Sequence, residues 1–252
     1  MRKLGFLLYG IASYLVFFGT FLYAIGFVGN WIVPKTVDSG TPGPVGLSIL
    51  VNVALLGLFG LQHSVMARPA FKRWWTRFVP HEIERSTYVL LSSVCMILLF
   101  ALWQPLPTAL WTAEGALRMA IQALFLGGVG LVLYATMLID HFDLFGLRQV
   151  ILAWKGTAYT NHPFATPSLY RFVRHPLYVG WFVVFWATPD LTAGHLLLAA
   201  VTTAYILVAV LFEERDLVDH FGEDYVRYRE TTPAFVPAPR RAERTRAAAP
   251  SH

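Results

Sequence analysis

Apolar residues in this chain come in long unbroken runs, and the polar ones collect at the ends of those runs. Phe6–Val28 contains no charge. Roughly 20 apolar residues cross a bilayer core, so this run predicts a first membrane helix. It is longer than a leader's apolar stretch and lacks a small-residue cleavage site, so it reads as a retained span. Val45–Met66 predicts a second span, with Asn52, Gln62 and His63 as its strongest polar positions. Thr87–Trp103 predicts a short third span, stopped by Gln104-Pro105. Met119–Ile139 predicts a fourth. Its Gly127-Gly128-x-Gly130 has no preceding strand and no loop, so it reads as small residues for close helix contact rather than a dinucleotide turn. Pro176–Ala187 is short for a straight crossing. Thr188-Pro189-Asp190 breaks it, and Leu191–Phe212 is again a full span. These last two predict a helical hairpin.

The predicted fold class is therefore an all-α integral membrane protein with about six membrane helices. A single membrane domain covers 1–236, and a disordered basic tail with Arg240, Arg241, Arg244 and Arg246 covers 237–252. Composition supports this. Hydrophobic residues are 56% of the 252 and charged residues 14%, against about 25% charged in soluble domains. The net charge of +5 could suggest nucleic acid. Placement argues otherwise. With the N-terminus inside, every Lys and Arg except Lys35 and Arg118 falls on the inner side, as the positive-inside rule requires. The basic charge is then an orientation signal with anionic lipid as its partner, and no nucleic acid is expected. Cys95 is the single cysteine, which excludes a disulfide framework and any CxxC site.

On that topology the polar residues gather at the inner ends. Gln62 and His63 close the second span, and Glu84, Arg85 and Tyr88 open the third. Asp140, His141 and Asp143 follow the fourth, Arg174 and His175 open the fifth, and Glu213 and Glu214 close the sixth. Helix ends are wet, which accounts for any one of these. The whole set on one side predicts an inner-face pocket between helices. In Arg174-His175-Pro176-Leu177-Tyr178-Val179-Gly180, Pro176 is set for the first helical position. The free N–H groups and the two cations suit an anion, or the segment is only a basic interface anchor. Gly180 admits a helix or a ligand close to the backbone. Two carboxylates at a helix C-terminus oppose the dipole, so Glu213-Glu214 needs a partner: Arg215, Arg227, a bound cation or a ribose diol. Tyr225 and Tyr228 share a helix face, as interface aromatics or as a wall beside a cation.

These two blocks resemble the isoprenylcysteine carboxyl methyltransferase superfamily. The matching residues are Arg174-His175-Pro176-x-Tyr178-x-Gly180, then Glu213-Glu214, then Phe221-Gly222-x-x-Tyr225-x-x-Tyr228. Further blocks resemble the bacterial methanethiol S-methyltransferases of the NnrU-like group. They are Gln62-His63-Ser64-x-Met66-Ala67-Arg68, then Glu84-Arg85-Ser86-Thr87-Tyr88, and Asp140-His141-Phe142-Asp143-Leu144-Phe145-Gly146.

The resemblance implies S-adenosyl-L-methionine as donor, S-adenosyl-L-homocysteine as product and a small thiol as acceptor, in a multi-pass bacterial inner-membrane enzyme with both termini cytosolic. It divides the domain into an acceptor side, 1–140, and a cofactor side, 141–236. The expected cofactor residues are Arg174, His175, Pro176, Tyr178, Gly180, Glu213, Glu214, Tyr225 and Tyr228. A thiol reacts as its thiolate, so a base or a positive field is needed, and His141, His63, Asp143 and Arg85 are the candidates. Gln62, Glu84, Tyr88, Asp140, Phe142, Phe145 and Trp181 are expected around the acceptor. His162, His195 and His220 read as structural or exposed. No metal and no obligate protein partner are expected. Two alternatives remain: a prenylcysteine or other lipid-like acceptor, or a haem or metal protein for electron transfer or transport, with His141-x-Asp143 as a ligand pair.

Overall fold

A computed structural model of the chain describes residues 1–237. The predicted tail, apart from Pro237, lies outside the described residues. The chain order is α1 (Arg2–Gly29), α2 (Val45–Ala67), α3 (Pro69–Trp75), α4 (His81–Leu102), β1 (Ala109–Thr112) and α5 (Gly115–Leu138). It continues with α6 (His141–Leu144), α7 (Leu147–Lys155), a 3-10 turn at Ser168–Arg171, α8 (Pro176–Trp186), β2 (Asp190–Thr192), α9 (Ala193–Phe221) and α10 (Glu223–Thr231).

Five helices, α1, α2, α4, α5 and α9, are long and apolar enough to span a membrane. The shortest has 22 residues, about 33 Å at 1.5 Å per residue. Only 28–39% of each apolar window is buried inside the protein. The rest of that apolar surface faces outward, which is unfavourable in water and favourable in lipid. This is a multi-pass helical membrane protein. The fifth predicted span, α8, has 11 residues and is a short apolar helix beside the long ones.

The ends differ from expectation for local reasons. α4 starts at His81, before Thr87, because Glu82 and Glu84 favour a first helical turn. α9 runs two turns past Phe212 to Phe221, since no Gly or Pro interrupts it before Gly222. Glu213 and Glu214 therefore sit inside a helix rather than at its C-terminus, and the dipole penalty expected there does not apply. Two short strands were not anticipated. β1 and β2 pair antiparallel and tie the α4–α5 connection to the α8–α9 connection, with Arg118 on Asp190 at 2.5 Å.

The core lies between α1, α4, α5 and α8, around Phe27, Leu99, Trp103 and Val184. α5 and α8 pack closest. A Cβ on Gly180 would stand 2.9 Å from the Val132 backbone nitrogen, and one on Gly128 would stand 3.1 Å from that of Val184. Gly128 serves the helix contact read from the sequence. Gly127 and Gly130 face open space.

The end of the bundle that carries Arg2, Arg68, Lys72, Arg85, Arg148 and Arg174, here called the basic face, is built from the short elements. Asp140 adopts a left-handed conformation and caps α6, its carboxylate accepting from the Asp143 N–H at 3.0 Å. Gly146 follows at φ +86°, where a Cβ would stand 2.7 Å from the Ser86 nitrogen. Only glycine lets this turn lie against α4.

Candidate functional site

Two groups of side chains form on the basic face. The first joins α8, α9, α10 and the segment that follows. Tyr178 donates to Glu213 Oε2 at 2.8 Å. Glu214 Oε1 receives Arg174 Nε at 2.8 Å, Arg174 Nη2 at 2.7 Å and His175 Nε2 at 2.9 Å. Arg174 Nη1 donates to the carbonyls of Arg229 and Thr232. The Arg174 and His175 N–H groups donate to the Pro233 and Ala234 carbonyls at 2.9 and 3.1 Å. Phe235 packs on His175 and Phe182. The partner of Glu214 is thus neither Arg215, which lies over the Phe212 ring, nor Arg227, which pairs with Asp224. Arg174 and His175 take that place and fasten the 232–235 segment. Pro176 is buried at the first position of α8. Gly180 faces α5.

Glu213 stands apart from this ion cluster. Among the described residues it makes no salt bridge. Tyr178 reaches it by hydrogen bond, and Tyr170, Tyr205 and Tyr88 lie within range of its charge. Burial, then the Glu213 charge, raises the Tyr170 hydroxyl. Burial also pushes Tyr228 up to about 12, and Tyr228 donates to the Tyr170 carbonyl at 2.5 Å.

The second group joins α1, α2, α4 and the α6–α7 turn. The Tyr88 hydroxyl lies 2.9 Å from His63 Nε2, and Ser92 Oγ is 3.3 Å from Nδ1. Arg85 stacks over the Tyr88 ring at 5.2 Å and donates to the Leu144 carbonyl at 2.8 Å. Phe145 stacks on Phe17 at 3.8 Å and packs against Met66, Tyr88 and Val89. Tyr88 is the hinge between the two groups, since it also senses Glu213.

His141 is buried behind Phe145. Tyr14 lies 2.9 Å from its Nε2 and Thr136 Oγ1 2.9 Å from its Nδ1. Thr136 already donates to the Leu133 carbonyl at 2.7 Å, so His141 carries its proton on Nδ1 and accepts from Tyr14. Burial lowers His141, with a smaller opposing effect from Asp140. Asp143 pairs with Arg148 at 3.0 Å, and Asp140 with His162 at 3.1 Å. The last contact gives His162 a partner. Phe142 is exposed beside Tyr14. Trp181 packs edge-on to Phe21 beside a void of about 10 Å³ in the core, away from both groups.

Several buried polar atoms on this face have no partner among the described residues: Gln62 Oε1, Trp75 Nε1, Glu84 Oε1, Gln149 Oε1 and Tyr225 Oη. A buried unsatisfied group costs about 1–3 kcal/mol, so each of these calls for a partner that water or a ligand can supply. Lys72 stands here too, lowered by burial and then by Arg85. Sequence reading missed Tyr14, Thr136, Tyr170 and Tyr205. Tyr205 was findable: it precedes Glu213 by eight positions, hence on one helix face.

A multi-pass helical bundle with a charged and aromatic cluster at one face defines the class as a helical membrane protein. Residues 147–219 match the isoprenylcysteine carboxyl methyltransferase (ICMT) family, which makes that class a membrane methyltransferase. A protein of Bradyrhizobium diazoefficiens, Methanethiol S-methyltransferase 2, is 53% identical over 93% of this chain and 91% of its own. Methanethiol S-methyltransferase of Mycobacterium tuberculosis is 54% identical over 96% of this chain and 99% of its own. That of Crocosphaera subtropica is 50% identical over 92% and 91%. No solved structure matches. With half its residues shared across nearly its whole length, the chain belongs to the methanethiol S-methyltransferase family.

Proposed function

We propose that the protein methylates methanethiol to dimethyl sulfide with S-adenosyl-L-methionine, at the cytosolic side of a bacterial inner membrane, with both termini cytosolic. One observation carries the reading: among the described residues Glu213 is a carboxylate with no salt-bridge partner, it accepts from the Tyr178 hydroxyl, and Tyr170 and Tyr205 lie within range of its charge. That is the environment a sulfonium prefers, through Coulomb attraction and ring faces. The unpartnered polar atoms on the basic face are available to a polar ligand. When bound, the donor supplies an electrophilic methyl that the acceptor sulfur takes in line, leaving a neutral thioether.

The chain's residues hold and orient. Glu213, with Tyr178, holds the cation. Arg174, His175 and Glu214 fasten the C-terminal segment as the wall of the cofactor side, and Pro176 and Gly180 set the start and seating of α8. Tyr225 and Tyr228 add aromatic wall.

The acceptor thiol must lose its proton. His63, through the Tyr88 hydroxyl at 2.9 Å, receives it and passes it to water at the basic face. The Arg85 charge favours the thiolate. His141 has both ring nitrogens engaged, so it organises α1, α5 and the Phe145 wall. Gln62, Glu84, Asp140, Asp143 and Phe142 support this acceptor side from outside the reacting atoms, and Trp181, packed in the core away from it, takes no part. The Phe17–Phe145 stack beside Tyr88 supports a small acceptor over a prenylcysteine.

The test is turnover of methanethiol, followed as dimethyl sulfide by headspace gas chromatography, against turnover of a prenylcysteine analogue. Dimethyl sulfide from methanethiol with an idle prenyl substrate is the expected result. The reverse preference discards the thiol.

A further inference from the structure

Between α2 and α4 the chain makes a short helix that the mechanism above leaves unused. α3 starts one residue past the end of α2, and the turn after it leads to His81 at the start of α4. One span enters it and another leaves it, so it lies where the basic face meets the membrane surface. Phe71, Trp74, Trp75 and Phe78 follow the spacing of one helix face. Their neighbouring ring centroids are 5.3–5.9 Å apart. Phe71 and Trp75 turn inward and pack against Met66, Tyr88 and Val89. Trp74 and Phe78 stay 48% and 69% exposed. Arg73 and Arg77, four positions apart and so on one side, are exposed beside them. No Asp or Glu occurs from Arg68 to Pro80. Among the described residues Arg68 pairs with Asp216, while Arg73 and Arg77 form no salt bridge.

We infer that α3 and the turn after it are a docking surface for an anionic phospholipid, its phosphate held by Arg73 and Arg77 and the rings of Trp74 and Phe78 sunk among the first acyl carbons. Each half of the surface needs the other half of that ligand. Exposed indole and phenyl rings are unfavourable in water and suit the zone where headgroups meet chains. Two cations without carboxylate partners suit a phosphate, which a guanidinium grips with paired N–H donors. A free phosphate would leave the rings in water, and a neutral lipid would leave the arginines without a counter-charge. The surface also has a consequence inside the protein. Phe71 and Trp75 rest on Met66 and Tyr88, so a docked lipid braces the turn that joins the helix carrying His63 to the helix carrying Tyr88.

The experiment is tryptophan fluorescence of the full chain in phosphatidylcholine nanodiscs that carry a small fraction of spin-labelled lipid, either phosphatidylglycerol or phosphatidylcholine, labelled high on the acyl chain. The difference between wild type and Trp74→Phe isolates the Trp74 signal. The expected result is that labelled phosphatidylglycerol quenches this signal at a several-fold lower fraction than labelled phosphatidylcholine, and that salt narrows the gap. Arg73→Gln and Arg77→Gln should each cut the preference about fivefold, with melting temperatures like wild type. Arg2→Gln is the control, since Arg2 lies on the same face over the Phe6 ring and removes the same charge. It should leave the preference within twofold. Equal quenching by the two labels in wild type overturns the inference, as does a Trp74 signal that neither label quenches. An Arg2→Gln loss as large as that of Arg77→Gln overturns it too, because net charge rather than this surface then attracts the lipid. None of these readouts depends on the methyl donor or the acceptor.

Discussion

Changing Glu213 to Gln removes one negative charge and keeps the shape. The Tyr178 hydroxyl, 2.8 Å from Oε2 in the wild type, still finds an acceptor in the amide oxygen, so the fold loses little. The loss falls on the ligand. A carboxylate and a cation at about 4 Å attract by about 4 kcal/mol at an effective dielectric near 20, which bounds the effect from above. Hydrogen bonds and contacts to charged groups measure about 1.5–3 kcal/mol, or about 10- to 100-fold in Kd. The effect must depend on the sulfonium. S-adenosyl-L-methionine should lose at least tenfold in affinity, and the uncharged-sulfur product less than about threefold. Because the sulfonium charge is spent during transfer, KM for the donor should rise more than kcat falls. Paired titrations with donor and product, in wild type and Glu213→Gln, read this directly. Equal losses for the two ligands, or no loss, refute the assignment of Glu213 to the cation.

Other outcomes follow from named contacts. His63→Gln should lower kcat about 10²- to 10³-fold with product affinity within twofold of wild type; a large change in affinity instead makes His63 a packing residue. Gly146→Ala forces a side chain into a left-handed turn against Ser86 and should destabilise by about 1–3 kcal/mol, seen as a lower melting temperature. Glu214→Gln strips the carboxylate from Arg174 and His175; protease cleavage near 230–237 should accelerate, and an unchanged cleavage rate contradicts the tether. His141 is lowered from 6.5 by burial. The unfolded chain then binds the proton first, so stability is full above about pH 6.5 and declines as pH falls towards the lowered value. Melting temperature should drop on acidification below pH 6.5, and His141→Gln should flatten that drop.

Much of this is legible in the sequence alone. Membrane spans declare themselves by length, because a bilayer leaves no other use for uncharged runs of that size, and α1, α2 and α5 begin and end within a few residues of the predicted limits. The basic face was legible from charge placement alone. What stayed hidden depends on which side of a helix a residue faces after packing. Gly180 reads equally as a ligand approach or a helix contact, and α5 decides it. Arg174 and His175 look like anion donors until the 233–234 carbonyls and Glu214 occupy them. Tyr14 and Thr136 lie far from His141 in the chain or carry no motif, and only the α1–α5 packing joins them. β1 and β2 are three or four residues long, too short for any periodicity.

The central claim is a methyl transfer from S-adenosyl-L-methionine to a small thiol, and one preparation tests it. Detergent-purified protein is titrated with S-adenosylhomocysteine in a calorimeter. The same sample is then given S-adenosyl-L-methionine and methanethiol, and its headspace is analysed for dimethyl sulfide. Saturable binding together with dimethyl sulfide is the predicted result. Folded protein that binds no S-adenosylhomocysteine and releases no dimethyl sulfide contradicts the account.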